Sequence, residues 1–133
     1  MKNIKYQINK IAALCIRNKK LLVVRKNNIY ITLGGKIEQG ETELECLSRE
    51  VREEIGCEIK NPINFTTFYD NSYKGGLQII CYFCELTGEI KLNPKDSTDN
   101  FCWITRNYQQ NCIPLAPVLE HQIIPKLIER RLL

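Results

Sequence analysis

Short apolar runs separated by turn residues open the chain, and they predict two strands, Ile11 to Arg17 and Leu21 to Arg25, joined by a hairpin turn at Asn18-Lys19. Ile29 to Leu33 reads as a third, short strand that feeds a glycine loop. The period then changes. Leu44, Leu47, Val51 and Ile55 recur at helical spacing and predict one apolar stripe on a helix. Thr42 is placed to cap that helix, Glu45 to complete a capping box, and Gly56 to stop it. Strand-like segments follow at Glu58 to Ile59, Asn64 to Tyr69, Leu77 to Leu86, Ile90 to Leu92 and Phe101 to Ile104, punctuated by Gly75-Gly76 and Gly88. From Pro117 a second helical pattern carries Val118, Leu119, Ile123, Ile124, Leu127 and Ile128, and Pro125 within it predicts a kink or a split. One mixed β-sheet with the first helix on one face and the C-terminal helix on the other satisfies these elements, an α/β/α sandwich of the α/β class.

The 133 residues, 44% hydrophobic and 26% charged, suit a single domain spanning 1–133 with its own core, and no repeat or linker divides it. A net charge of +4 favours an anionic ligand, but the basic residues are dispersed and form no nucleic-acid signature. No apolar run approaches membrane-spanning length, and Met1-Lys2-Asn3-Ile4-Lys5 lacks the apolar run of a signal peptide, so the expectation is a cytoplasmic protein without a membrane partner. Seven cysteines lie mostly in apolar runs. Their odd number and the absence of a second C-x-x-C beside Cys81–Cys84 argue for buried thiols rather than a zinc knuckle or a disulfide framework.

The chemistry concentrates in Gly34 to Cys57. Glu50, Glu53 and Glu54 stand at i, i+3 and i+4, a strip beside the apolar stripe where like charges repel by a few tenths of a kcal/mol, about the size of a favourable pair reversed. A solvated charged face would interleave the signs. A hard divalent cation offsets the repulsion, because Mg²⁺ prefers carboxylate oxygens and keeps positions for water and phosphate. Gly34, Gly35 and Gly40 precede the helix and permit close backbone approach, so a backbone carbonyl can join the metal and the loop can face a diphosphate.

From Gly35 there are five residues to Glu41, seven more to Arg49, and then R-E-V-R-E-E-I-G-C. This resembles the Nudix box at every fixed position of Gly35–Cys57, and the order of hairpin, box, strands, tryptophan strand and terminal helix extends the resemblance over most of the chain. It implies the Nudix fold and a MutT-like pyrophosphohydrolase that cleaves nucleoside diphosphates linked to another moiety, using Mg²⁺ or Mn²⁺. By resemblance Glu50, Glu53 and Glu54 are metal ligands with the Gly34 carbonyl as an extra one, and Glu50, ranked before Glu53, is the general base. Arg49 orients these carboxylates by pairing with Glu41 and Glu53, and Gly35, Glu41 and Gly56 support the site. Cys57 departs from the bulkier aliphatic residue of the box. Ser97-Thr98-Asp99-Asn100 replaces a stretch where many similar proteins carry glutamates, which leaves Asp96 and Asp99 as open substitutes.

His121 in the second helical pattern reads as a surface residue and Trp103 as core. Phe65, Phe68, Tyr69 and Tyr73 are aromatics that stack on bases or simply pack, and substrate-binding residues stay unassigned. The expected partner is a small nucleotide or nucleoside-diphosphate derivative. An RNA 5′ end and a non-catalytic, nucleotide-sensing Nudix module are the alternatives, the intact box opposing the latter. The oligomeric state is open, a homodimer among the options.

Overall fold

The structure, a computed structural model, describes residues 8–72 and 74–133. The strands are β1 (Ile8–Leu14), β2 (Ile16–Arg17), β3 (Lys20–Lys26), β4 (Ile29–Lys36), β5 (Glu58–Asp70), β6 (Leu77–Thr87) and β7 (Asn100–Ile104), and helix α1 spans Glu43–Ile55. They form a mixed sheet in the order β2-β3-β4-β1-β6-β5, with β7 paired to β3. The β1–β6 pair is parallel, whereas β4 pairs antiparallel with both β1 and β3.

Both tight hairpins follow from asparagines that accept positive φ. Asn18 and Lys19 lie at φ 50 and 59°, and Asn27 and Asn28 at 52 and 64°. Two consecutive residues with positive φ make the turn that matches strand twist, so β3 and β4 are bound to leave the hairpin in register.

The sandwich expected from the sequence is observed. One face of the sheet packs Ile11, Leu22, Val24 and Leu33 against Leu47, Val51 and Ile55 of α1. The other packs Ala12, Leu14, Leu21 and Val23 against Leu119, Ile123, Ile124 and Leu127 of the C-terminal helical segment. That segment is split as Pro125 predicts. It widens into π turns over Leu119–Ile123, and Pro125, which has no N–H to donate, stands in the first turn of α2 (Ile124–Glu129).

Three features differ from the sequence pattern. Glu58 to Asp70 is one long strand rather than two pieces; Pro62 is accommodated because β5 lies at the sheet edge and its register shifts between Lys60 and Ile63. Ile90 to Leu92 forms no strand; instead the Lys91 N–H donates to the Ile55 carbonyl at 2.8 Å and closes the end of α1. Leu44 is 44% exposed. It sits in the first turn of α1, where a side chain leaning toward the helix N-terminus passes beyond the packed layer, and Cys46 is buried instead.

Leu47 is fully buried between α1 and the sheet. Leu47→Ala is expected to lower stability by about 2–5 kcal/mol, read as a reduced denaturation midpoint at unchanged slope.

Candidate active site

The capping box forms as the sequence predicts: Thr42 Oγ1 accepts from the Glu45 N–H and Glu45 Oε1 accepts from the Thr42 N–H. Gly56 closes the helix in the left-handed region at φ 68°. α1 is therefore held at both ends, which fixes the angular positions of its glutamates.

Those glutamates do not form the evenly exposed strip that their spacing suggests. Side-chain exposure is 50% for Glu53, 13% for Glu50 and 0% for Glu54. Glu54 points into the sheet side of α1, where Oε1 accepts from the Gly34 N–H at 2.7 Å. Its Oε2 lies 2.5 Å from the Lys26 ammonium, an ion pair without hydrogen-bond direction. Burial pushes the Glu54 carboxyl up to about 7, with Lys26 and the Gly34 N–H pulling the other way. Burial also raises Glu50, against the opposing pull of Arg49. For Lys26 burial favours the neutral amine, but the Glu54 carboxylate outweighs it and the ammonium is strengthened.

Arg49 ties the loop to the helix. Its Nε donates to Glu41 Oε2 at 2.6 Å and its Nη2 to Glu41 Oε1 at 3.0 Å, a two-pronged pair. Nη1 donates to Glu50 at 3.0 Å and to Glu53 at 3.2 Å, and Nη2 reaches the Lys36 carbonyl at 3.2 Å. The guanidinium holds the Glu41 carboxyl well below its usual range, at about 2. The pairing of Arg49 with Glu41 and Glu53 read from the sequence is present, and the contact to Glu50 is an addition.

The glycine pair has a steric cause. A Cβ on Gly34 would stand 2.0 Å from the Ile11 carbonyl oxygen, and Gly34 itself lies at φ 133°. A Cβ on Gly35 would meet the Glu50 carboxylate at 2.4 Å. Gly34 thus lets β4 close on β1, and Gly35 leaves the space in which the Glu50 carboxylate sits. Gly35→Ala should displace that carboxylate while the fold survives, because only a flexible side-chain end must move; activity falling with an unchanged melting temperature is the expected result.

Of the remaining candidates, Asp99 accepts from Arg25 at 2.8 Å and Asp96 accepts from the Thr98 N–H, so both are engaged locally. His121 is exposed, at 71% for its side chain. Trp103 is partly buried and carries the Arg17 guanidinium 5.3 Å above its ring. Phe65 packs on Phe83 at 4.5 Å, and Tyr73 lies outside the described residues. All seven cysteines are free thiols, five of them buried.

Sequence reasoning missed the lysines. Lys10, Lys26 and Lys36 line a cavity of about 320 Å³ whose wall also includes Gly34, Gly35 and Glu50. No motif marks Lys10 or Lys26. Only strand register brings Lys10 opposite Lys36, and only the Asn27-Asn28 turn returns Lys26 to the box helix.

One arginine thus clamps the loop to the helix, with graded carboxylates beside a basic cavity. The NUDIX domain profile matches residues 8–119, and the chain belongs to the Nudix family. The chain is 28% identical over 108 residues to the NAD-capped RNA hydrolase NudC of Shigella dysenteriae, covering 81% of this chain but 37% of that protein. It spans about a third of the length of that relative. Among solved structures, the E. coli ORF135 protein superposes with a TM-score of 0.76 at 21% identity, over 93% of this chain and 90% of the other. The NUDIX domain of Shewanella oneidensis NrtR, solved with ADP ribose, gives 0.74 at 20% identity, over 96% and 90%. Both likenesses support the fold. Among the described residues no helix is long and apolar enough to cross a membrane.

Proposed function

We propose that this chain, acting as one Nudix domain, hydrolyses a nucleoside diphosphate linked to another moiety. The observation that carries this reading is the Glu50 carboxylate, fixed by Arg49 and Gly35 at the wall of a lysine-lined cavity. A diphosphate is anionic and bulky; the lysines attract it, and the glycine loop lets it approach the carboxylates closely.

The donor set fits Mg²⁺ or Mn²⁺. Glu50, Glu53, Glu54 and the Gly34 carbonyl offer only hard oxygens, and Glu54 Oε2 is a buried oxygen without a directed hydrogen bond. Among the described residues no three carboxylate, histidine or cysteine side chains already converge as ligands. Lys26 occupies the charge partner's place at Glu54, so the cation site assembles only when that ammonium gives way. A divalent cation held there would neutralise phosphoryl charge and lower the pKa of water. Glu50 takes the general-base role: burial shifts its carboxyl upward, toward the working pH, and it borders the cavity. Arg49 is a positioning residue that keeps Glu50 and Glu53 turned toward one another.

Nucleoside triphosphates, oxidised dNTPs, ADP-ribose, dinucleoside polyphosphates and 5′-capped or triphosphorylated RNA, offered with Mg²⁺ and read by phosphate release after a pyrophosphatase, test the reading. Glu50→Gln is expected to lower turnover by about 100-fold or more on the substrate found, with an unchanged fold. Wild-type turnover in that variant would remove Glu50 from the chemistry. The RNA 5′ end is retained as the second reading because the NudC relative is a hydrolase of NAD-capped RNA.

A further inference from the structure

We propose that Cys15 and Cys84 form a dithiol site that hydrogen peroxide converts, reversibly, to a disulfide joining the end of β1 to β6. The site shares no lining residue with the cavity beside Glu50 and stands independently of the hydrolase reading.

The C-x-x-C spacing points to the wrong pair. Cys81 and Cys84 are an odd number of residues apart on β6, so Cys81 packs toward the C-terminal helical segment and Cys84 toward α1. Parallel pairing instead sets Leu14 beside Phe83, and one step further brings Cys15 beside Cys84 with their sulfurs 3.4 Å apart. Neighbouring strands lie about 4.8 Å apart, inside the Cα range of roughly 4.4–6.8 Å that a disulfide spans. The bond therefore needs the sulfurs to close by about 1.4 Å, a side-chain rotation rather than a movement of strands. Cys46 and Cys57 are placed differently: each directs its S–H at a backbone carbonyl, that of Lys36 for one and Ile55 for the other.

Buried thiols react only where an oxidant reaches them, and a pocket of about 300 Å³ borders both sulfur-bearing residues. Arg17 and Lys60 line it beside Glu85, which leaves a net positive surround for a thiolate. The sulfur that ionises first keeps a hydrogen bond from the other; Cys84 is eased downward by Cys15 against its burial, and Cys15 is raised. As the thiolate, Cys84 attacks one peroxide oxygen. The O–O bond breaks, the other oxygen leaves as water with the proton Cys84 gave up, and a sulfenic acid remains. Cys15 then attacks that sulfur: the S–S bond forms, the S–O bond breaks, and the departing hydroxide takes the Cys15 proton as a second water. Two thiols and one peroxide become one disulfide and two waters, the sulfurs losing the two electrons that the peroxide gains. A thiol reductant reverses the link by exchange.

The test uses the full chain carrying Cys112→Ala, because Cys112 is exposed and would otherwise link one chain to another. The folded, reduced protein is treated with hydrogen peroxide, its remaining thiols are alkylated after unfolding, and its peptides are mapped by mass. The expected product has lost two of its free thiols, is lighter by two hydrogens, and joins the peptide of Cys15 to that of Cys84; dithiothreitol restores both thiols. Adding Cys84→Ala or Cys15→Ala should abolish the link, and adding Cys81→Ala should leave it intact. Should Cys15→Ala not fold, Cys84→Ala and Cys81→Ala still separate the two pairings. Retention of every thiol overturns the site. So does a link through Cys57 or Cys81, a link that survives Cys84→Ala, a cross-link between two chains, or oxidation of either sulfur to a sulfinic acid in place of the disulfide.

Discussion

Lys26→Met should destabilise the metal-free protein by about 3–5 kcal/mol at pH 8, because it leaves the fully buried Glu54 carboxylate without its cation. The effect should nearly vanish at pH 5. A carboxyl whose folded pKa is raised, here from 4.5 to about 7, contributes stability that is complete below the unfolded value and is lost as pH rises through the folded one. At pH 5 Glu54 keeps its proton with or without Lys26. At pH 8 the wild-type carboxyl ionises against the ammonium. In Lys26→Met the lost cation drives its pKa higher still, so that it must either take up a proton on folding or ionise unpaired, and both cost stability. Lys26 itself titrates far above this window, so the pH dependence belongs to Glu54. Saturating Mg²⁺ should restore most of the loss at pH 8 if the cation takes the place of the ammonium. Denaturation curves at both pH values, with Mg²⁺ and with NaCl at matched ionic strength, read all three expectations. Superimposable wild-type and Lys26→Met curves at pH 8 would show that the pair does not hold the site.

The pair also marks where the sequence stopped being legible. The box helix, its cap, its stop and the Arg49 contacts to Glu41 and Glu53 follow from local spacing, and local spacing survives folding. The sandwich was legible because both helices carry apolar stripes that need opposite faces of one sheet. The exposure of each glutamate was not, because it depends on how α1 is rotated over the sheet. Glu54 lies about 20° in angle from Leu47, on the Glu50 side of the apolar stripe, a position that apolar counting assigns to the strip beside the core and the structure assigns to the core itself. Lys26 escaped for a related reason. Its partner is distant in sequence, and the two-residue Asn27-Asn28 turn that aims it back carries no chemical signature. Lys10 opposite Lys36 is a property of register, which a one-residue slip would abolish. The bulged β5 defeated periodicity because its inserted residues break the alternation that a strand otherwise shows.

The same geometry reverses what the acidic strip alone suggests for the glutamate variants. If all box glutamates were exposed and merely repelled one another, replacing any of them by glutamine would leave the metal-free protein as stable or more so. Glu53→Gln should still behave that way, within about 0.5 kcal/mol of wild type, since Glu53 is half-exposed and Arg49 keeps its contacts to Glu41 and Glu50. Glu54→Gln should instead cost up to about 3–5 kcal/mol, because the part-buried Lys26 ammonium loses its counter-charge. Adding Lys26→Met to Glu54→Gln should recover most of that loss, as neither member is then left charged and alone. The cation response supplies the second half of the test. At ten times its dissociation constant a bound cation adds about 1.4 kcal/mol to the wild type by mass action, a rise of a few degrees in melting temperature for a domain of this size. Glu53→Gln/Glu54→Gln should lose most of that rise. Glu53→Gln alone should keep part of it, because two carboxylates and the Gly34 carbonyl remain. A double variant that responds to Mg²⁺ as fully as the wild type, at matched ionic strength, would show that the cation binds elsewhere and that the buried Glu54 serves Lys26 alone.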